Sequence, residues 1–492
     1  MKKNVLFIFL LFFCMEMSLY AQQTQPGLYV GDVFQSEMDL YDALDWITLN
    51  AQDDGEYSVV LGESIALSSN VLDCKGKSVT IHLKTVGSDI QLTYATRSPS
   101  SSLFTIKKGV TFVLEDGVEL IGRPSASRPP VTVDGGQFIM NGGAVKDSKV
   151  DHSADWRGGG VDVLSGGTFI MNGGVISGNS CHYGAGVNVA ENATFTMKGG
   201  TICKNYAYYK EYNNYITGRG GGVYVNGTFT LIDGIIDNNF TYRDFDYYGG
   251  QGGGIYISNN GSFVMQGGVI SNNSGCGIYI DGHNSLYGSY GGKAVMDGGT
   301  ITSNSGRYGG VYINGSFTMN NGTITKNSAA SGGGVYIRSG FSFVMNGGEI
   351  TENTANGDRN SWGGYFGGGG VCIEGTFTMN GGLISNNIAT GYVNKGGGGV
   401  FVQQFGTFIM NDGTISKNRT TKSGGGVCVH NATFVKSGTA GIIYGGDATE
   451  DKANKADQYG HAVYTDNGSR DTTARATKAL DSRQQGADGG WE

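Results

Sequence analysis

Between Gly220 and Asn239 the sequence reads GGGVYVNGTFTLIDGIIDNN, and close variants of this phrase recur along the chain. The phrase contains three short runs of alternating apolar residues, Val223–Val225, Thr228–Leu231 and Ile235–Asp237, separated by glycine or asparagine. Runs this short with a period of two indicate β-strands, because successive side chains of a strand point to opposite faces. The phrase therefore predicts a protein built from many short strands.

The repetition of the phrase predicts how these strands are arranged. Its copies fill the chain from Gly158 to Asp447, and self-similarity with a period of roughly 20–50 residues is typical of solenoids, propellers and arrays. A propeller blade needs four longer antiparallel strands, whereas three short strands and three turns match one coil of a parallel β-helix. The predicted fold class is therefore all-β, a parallel β-helix with three short strands per coil.

The second strand of each copy predicts a core column. A phenylalanine is followed two positions later by methionine, or once by leucine, so both side chains share a face. The pairs are Phe138/Met140, Phe169/Met171, Phe195/Met197, Phe229/Leu231, Phe263/Met265, Phe317/Met319, Phe343/Met345, Phe377/Met379 and Phe408/Met410. One coil departs from the pattern, because Ala294 stands in the phenylalanine position.

A second column follows the third strand, where an isoleucine is followed three positions later by asparagine. These residues are Asn179, Asn205, Asn239, Asn273, Asn304, Asn327, Asn353, Asn387 and Asn418. Side-chain amides stacked at the roughly 4.8 Å spacing of neighbouring strands can hydrogen-bond to one another along the solenoid axis. We interpret the column as a structural asparagine ladder rather than a ligand site.

The composition limits the class of protein. The chain has 492 residues, with 87 glycines and only 5 prolines, and a formal net charge of −8. There is no Gly-X-Y period, which excludes collagen, and the regular apolar positions argue against disorder. An acidic chain disfavours a nucleic-acid partner.

The two ends suggest export and a capped solenoid. Residues 1–21 combine Lys2 and Lys3 with an apolar run, which predicts a signal peptide, and no later run is long enough to span a membrane. Residues 22–57 are predicted as an N-terminal cap whose helix follows Ser36. Residues 58–157 are predicted as opening coils, 158–465 as regular repeats and 466–492 as a polar tail. We expect a monomer located extracellularly, at the cell surface or in the periplasm.

The repeat resembles the right-handed parallel β-helix proteins of the pectate-lyase-like superfamily, and is similar to the repeats of polymorphic outer membrane proteins. The elements that carry the resemblance are Gly-Gly-Val-Tyr, as at Gly221 to Tyr224, and Ile-x-x-Asn, as at Ile270 to Asn273. Phe-x-x-Asn strings at Phe317 and Phe377 also match, but in the preceding strand. The resemblance implies a right-handed coil and a surface adhesin. Those proteins end in a membrane β-barrel, for which we expect no room after Asp447 in this sequence.

Two aromatic surfaces are candidate binding sites. Long loops between the third strand and the next first strand carry Tyr208, Tyr209, Tyr212, Tyr247, Tyr248, Trp362, Tyr365 and Phe366. Insertions at one corner of a solenoid emerge on one side, and that side is often the binding face. The first strands also place a tyrosine at the outward position in five successive coils, which either suits sugar rings or simply stabilises the stack.

Catalytic and metal-binding patterns are weak. Enzymes on this fold use clustered carboxylates, but the outward positions of the third strand hold one acid, Asp237, among nine residues. Asp53 and Asp54 in the cap, and Asp281 with His283 in a loop, are the remaining fragments of a possible active site. The histidines show no metal spacing, so we predict no metal and no cofactor.

We therefore predict an exported, non-catalytic β-helix that recognises a glycan or a protein as a surface-exposed or secreted adhesin-like binder. The alternative is a polysaccharide lyase or glycoside hydrolase acting in a groove along the helix. A remote alternative is an ice-binding solenoid, because outward Thr-x-Thr pairs such as Thr228/Thr230 occur in the second strands.

Overall fold

The structure is a computed structural model that describes residues 25–96, 100–150, 157–211, 214–242, 251–285, 288–357, 367–390, 396–436, 440–446, 448–466 and 469–471. The chain is 50% strand and 3% helix and forms a parallel β-solenoid. This confirms the all-β fold class. Each coil contributes one strand to each of three long sheets, which we number 1 to 3 in the order in which each copy of the repeated phrase enters them.

Sheet 1 contains the Val-Tyr-Val strands and is parallel throughout. Its strands are Asn70–Leu72, Phe104–Lys107, Val131–Asp134, Val161–Val163, Val187–Val189, Val223–Val225, Ile255–Ile257, Ile278–Ile280, Val311–Ile313, Val335–Ile337, Val371–Ile373, Val400–Val402, Val427–His430 and Val463–Asp466.

Sheet 2 contains the Thr-Phe-Thr-Met strands and carries the phenylalanine column. Its strands are Gly27–Val30, Val33–Ser36, Gly55–Leu61, Val79–Thr85, Val110–Leu114, Gln137–Met140, Thr168–Met171, Thr194–Met197, Thr228–Leu231, Ser262–Met265, Lys293–Met296, Ser316–Met319, Ser342–Met345, Thr376–Met379, Thr407–Met410, Thr433–Lys436 and Ser469–Asp471.

Sheet 3 contains the Ile-Ile-Asp strands, and each of them from Val175–Ser177 to Thr414–Ser416 is followed by the turn that holds a ladder asparagine. Its strands are Ile65–Leu67, Ile90–Tyr94, Val118–Ile121, Ala144–Lys146, Val175–Ser177, Thr201–Cys203, Ile235–Asp237, Val269–Ser271, Thr300–Thr302, Thr323–Thr325, Glu349–Thr351, Leu383–Ser385, Thr414–Ser416 and Ile442–Ile443.

The structure adds a fourth, shorter strand that the sequence did not predict, and from Ser180–Cys181 onward this strand directly follows a ladder asparagine. These strands form two sheets, which are linked only by single bridges at Ser274 and which we together call sheet 4. The first contains Pro124–Ala126, Lys149–Val150, Ser180–Cys181, Tyr206–Glu211 and Phe240–Thr241, and the second contains Ser305–Gly306, Ser328–Ala329, Thr354–Ala355, Ile388–Ala389, Arg419–Thr420 and Lys455–Ala456. Two insertions form hairpins, Tyr206–Glu211 with Asn214–Thr217 and Gly282–Ser285 with Gly288–Gly291. Most of these strands span only two residues, which is too little for a periodic signal in the sequence.

The N-terminal end of the solenoid is covered. The helix Leu40–Asn50 buries its apolar face, with Leu44 and Ile47 in the core, and Asp39 caps it by accepting the amide N–H of Asp42 at 2.9 Å. The sequence placed the helix start after Ser36 instead. Strand Gly27–Val30 pairs antiparallel with Gly55–Leu61 on one side and with Val33–Ser36 on the other, so Val33–Ser36 is the outermost described strand at this end of sheet 2.

The core is a set of stacked columns. Phenylalanine rings of successive coils in sheet 2 lie 4.6–6.0 Å apart, centroid to centroid, and are fully buried. The methionine that follows each phenylalanine by two positions packs against the Gly-Gly turn of the next coil. A Cβ added at Gly382, for example, would lie only 2.5 Å from Cε of Met345. Gly382 also has a φ of +89°, which L-residues rarely adopt. These glycines are thus required by the core.

The last coil changes the chemistry of this column. Lys436 is the register partner of Met410 and is 5% exposed, and Arg470 is the register partner of Phe434. Strand Ser469–Asp471 lies within the segment that the sequence assigned to a polar tail. In the last two described strands of sheet 2, a basic residue thus occupies a position that is apolar in the preceding coil.

Candidate functional site

The structure describes only part of the predicted aromatic loops. Tyr212, Tyr247, Tyr248, Trp362, Tyr365 and Phe366 lie outside the described residues. Tyr209 belongs to strand Tyr206–Glu211, and Tyr208 of the same strand is half-buried. The long loop that carries them therefore begins as an extension of sheet 4.

Tyr206, Tyr208 and Phe240 form an aromatic ledge on the outside of sheet 4. Tyr206 and Phe240 are register partners on neighbouring coils, and the next residues, Ala207 and Thr241, are buried. Alternation therefore turns the aromatic residues outward. The Tyr206 ring stacks on that of Tyr208 at 4.8 Å and meets that of Phe240 edge-on at 6.4 Å. Phe240 is 38% exposed, so the ledge presents an aromatic surface to solvent.

The tyrosine column of sheet 1 is not a solvent-exposed face. Its rings stack 4.5–5.6 Å apart, and every member is buried. The column consists of Tyr224, Tyr256, Tyr279, Tyr312 and Tyr336. The rings of Tyr183 and Tyr308 pack over it, and the guanidinium of Arg219 lies 5.2 Å from the ring centre of Tyr256. The column is thus a second, external core and offers no platform for sugar rings.

Carboxylates at the sheet 1 to sheet 2 corner partner the tyrosine hydroxyls. Tyr256 donates to Asp281, and Tyr336 donates to Oε1 of Glu374 at 2.5 Å. Nε2 of Gln403 donates to the same Glu374 oxygen at 2.8 Å. Burial raises the pKa of both tyrosines far above their usual range, so they remain protonated donors.

A buried carboxylate continues the outward column of sheet 1 toward the N-terminus. Asp162 is 2% exposed, and its Oδ1 accepts the amide of Asn188 at 2.6 Å. Burial raises the pKa of Asp162 to about 6, and the Asn188 hydrogen bond and the charges of Arg128 and Arg157 oppose this shift. Asp162 and Asn188 are register partners, so this pairing follows directly from the stacking of coils.

The asparagines of the third-strand turns form a buried ladder, the inner ladder. Each Nδ2 donates to Oδ1 of the next coil, as from Asn304 to Asn327 at 3.0 Å, and also to a backbone carbonyl, that of Ile270 at 2.9 Å for Asn304. Each Oδ1 also accepts a backbone N–H. The column extends to Asn454, which accepts the Asn418 amide at 2.9 Å. The sequence missed Asn454 because a longer loop follows Ile443.

A second, exposed ladder runs along the sheet 2 to sheet 3 corner, and we call it the outer ladder. The amide of Asn346 donates to Asn320 at 2.8 Å, and that of Asn320 donates to the carboxylate of Asp297 at 2.7 Å. Asn380 and Asn411 extend it. Each amide of the outer ladder donates to the preceding coil, whereas each amide of the inner ladder donates to the following coil. The carboxylate of Asp297 is the last acceptor in this direction, and it suits that position because carboxylates are strong hydrogen-bond acceptors.

A groove of about 440 Å³ lies beside the outer ladder and crosses four coils. Its lining includes Gly299, Gly322, Gly348 and Gly382. Each of these glycines closely approaches a methionine Cε or a backbone atom of the preceding coil. The groove is therefore a consequence of core packing, and it carries no separate sign of a ligand.

The predicted catalytic fragments are not brought together. Asp53 accepts the backbone N–H of Ser78 at 2.8 Å in the cap, Asp281 bonds to Tyr256, and the ring of His283 lies 5.6 Å from that of Tyr290 on the hairpin. Across the described ranges, no three His, Cys, Asp or Glu side chains lie together so that they could hold a metal ion.

The Thr-x-Thr pairs lie on the outer face of sheet 2. Thr228 is exposed and Thr230 half-buried, and Val264 is the register partner of Thr230 in the next coil. The threonine rows are thus interrupted by apolar residues in the structure as in the sequence.

None of the helices in the described part of the chain is both long and apolar enough to cross a membrane.

A comparison of the chain with protein-family models finds no match. Comparisons with curated proteins and with solved structures also find no significant match.

Proposed function

We propose that this protein is an exported, non-catalytic recognition solenoid that binds glycan chains through the aromatic ledge. The observation that carries the proposal is the placement of Tyr206, Tyr208 and Phe240 together on the outside of sheet 4, with Phe240 38% exposed. Aromatic rings that stand on a rigid sheet bind the apolar faces of sugar rings at low entropic cost, because few torsions must be fixed.

The position of the ledge supports this proposal. It stands at the base of the hairpin formed by Tyr206–Glu211 and Asn214–Thr217, where the repeat is interrupted. Interruptions of a solenoid are where binding residues accumulate, since the coils themselves are occupied with packing. The inner ladder and the stacked cores give this surface a rigid support.

Export and surface location belong to the same proposal. They rest on the predicted signal peptide at residues 1–21 and on the resemblance of the Gly-Gly-Val-Tyr and Ile-x-x-Asn elements to repeats of polymorphic outer membrane proteins. Fractionation of cells that express the full chain tests this part. Retention of the protein in the cytoplasm would contradict it.

A glycan array probed with the purified protein tests the binding function. Tyr208→Ser and Phe240→Ser each remove one ring of the ledge, and we expect binding to weaken at least about tenfold. Tyr459→Ser is the matched control, because Tyr459 is a 44% exposed tyrosine near the other end of the solenoid. Absence of binding to every glycan, or equal loss in the control, would refute the proposal. Shortening of a bound glycan on prolonged incubation would instead indicate an enzyme.

A further inference from the structure

One turn at the sheet 1 to sheet 2 corner contains a residue that is unsuited to its backbone conformation. The turn Gln403–Gly406 is closed by the hydrogen bond from the N–H of Gly406 to the carbonyl of Gln403 at 2.8 Å. Phe405, at the third position, has a φ of +68°. Turns with positive φ at this position favour glycine or asparagine, and a bulky residue there is a conformational outlier.

Three other turns at this corner show the usual solution. Each is closed by the same bond at 2.8–3.1 Å and has positive φ at its third position, which is filled by Gly166, Asn192 and Gly340. Phe341, which follows Gly340, is buried in the core. A phenylalanine in this kind of turn is therefore buried when it stands one position later, whereas Phe405 is 81% exposed.

Coil stacking supports the conformation of this turn, because the N–H of Phe405 donates to the carbonyl of Asn431 at 3.1 Å, as that of Gly166 donates to Asn192. Neither the core nor this bond explains why the residue is a phenylalanine, and strained residues are typical of functional sites. The preceding coil joins its strands through Glu374 and Gly375 alone, so the longer turn of Phe405 projects beyond it. Gln404 beside Phe405 is exposed. The carboxylate of Glu374 is held in place by Tyr336 at 2.5 Å and Gln403 at 2.8 Å.

We propose that Phe405, Gln404 and Glu374 form a subsite for a neutral sugar ring. The phenyl ring packs against the apolar face of the sugar, while the amide and the carboxylate bond to its hydroxyls. Gln404 and Phe405 are neighbours in one turn, and Gln403 of that turn bonds to Glu374, so one aromatic ring and two planar polar groups share a corner, a set that matches the size of one sugar. A stable protein partner would need an interface of roughly 1,000 Å² or more, most of it beyond this turn.

This subsite deepens the proposed function, on which it rests, by adding a second contact at a corner that is separate from the ledge. Its test uses the full chain and the same glycan array, with three further variants. Phe405→Asn installs the residue type found at Asn192 and removes the ring. Phe405→Tyr retains a ring of similar size. Tyr290→Asn removes a 58% exposed tyrosine from the hairpin at the same corner.

We expect Phe405→Asn to weaken glycan binding at least about tenfold, while Phe405→Tyr and Tyr290→Asn stay within about twofold of the parent. Thermal unfolding should show that Phe405→Asn is folded. Unchanged binding in Phe405→Asn, with loss in Tyr208→Ser, would overturn the subsite and leave the ledge standing. A parent that binds no glycan would overturn both. Equal loss in Tyr290→Asn, or a change of oligomeric state on light scattering, would assign Phe405 to non-specific or self-association instead.

Discussion

Nδ2 of Asn304 lies 3.0 Å from Oδ1 of Asn327 in the next coil, and both side chains are fully enclosed by the turns that they connect. The Oδ1 of Asn304 in turn accepts both the side-chain amide and the backbone N–H of Asn273, at 2.9 and 3.0 Å. Each asparagine of the inner ladder therefore satisfies backbone groups that water cannot reach.

Asn304→Ala should be strongly destabilising. The substitution leaves two buried donors of Asn273 without an acceptor, and each unsatisfied group costs about 1–3 kcal/mol, so we expect a loss of about 3 kcal/mol or more in urea unfolding. Asn346→Ala in the outer ladder is the matched control. Its exposed partners regain water, so we expect a loss of about 1 kcal/mol or less. Equal losses would contradict the burial argument.

Asp162 should make stability depend on pH. Burial raises its pKa from 3.8 to about 6, so the folded state disfavours the carboxylate. The penalty is absent below pH 3.8, develops up to about pH 6 and is complete above it, where it amounts to about 3 kcal/mol. The protein should therefore lose stability from this group as the pH rises from 4 to 7.

Asp162→Asn isolates this effect because it removes the charge and keeps the shape. The free energy of unfolding of the variant, relative to the parent, should rise between about pH 4 and pH 7 by up to about 3 kcal/mol. Urea unfolding of both proteins at several pH values measures it. A difference that stays constant with pH would show that the carboxylate is not desolvated.

Phe405→Asn should raise stability. The left-handed conformation costs an ordinary L-residue roughly 1–2 kcal/mol, and asparagine tolerates it better, so a gain of about 1 kcal/mol is expected. Phe240→Asn is the control of opposite sign, because Phe240 occupies a regular strand and loses apolar contact. A destabilised Phe405→Asn would indicate that the ring packs against the protein after all.

Gly382→Ala should be more destabilising than Gly76→Ala. Both glycines have similar φ values, +89° and +83°, so the backbone strain is matched. A Cβ at Gly382 would lie 2.5 Å from Cε of Met345, whereas nothing lies within 4 Å of one at Gly76. Overpacking typically costs about 1–3 kcal/mol, and this should be the difference between the two variants in thermal or urea unfolding. Equal effects would mean that the side chain of Met345 moves aside to make room for the added methyl group.

The alternation of residues predicted the core and the strand faces. Phe229 and Leu231, two apart on one strand, are both fully buried, as the period of two requires. The same rule correctly predicted that the side chain of Tyr256 points away from the core. It could not show that Tyr183, Tyr308 and Arg219 cover the outer face of sheet 1. Those covering residues come from segments beyond the strand, so no local pattern contains them.

The outer ladder was visible in the sequence without being recognisable as a ladder. Phe-x-x-Asn strings end at Asn320 and Asn380, but only the register of the coils brings Asn320 within 2.8 Å of Asn346. The sequence also showed no sign of the strain at Phe405, because a phenylalanine does not predict a turn with positive φ.

The sequence by itself determined the solenoid, its apolar columns and the register of its coils, because a period of two within strands and a repeated phrase between them are local properties. The tertiary structure decided which outward residues meet solvent. Tyr256 is buried while Phe240 and Phe405 are exposed, although all three are aromatic residues on the outside of the coil. Exposure depends on which distant segments pack over a residue, and the sequence contains that information only through the complete fold.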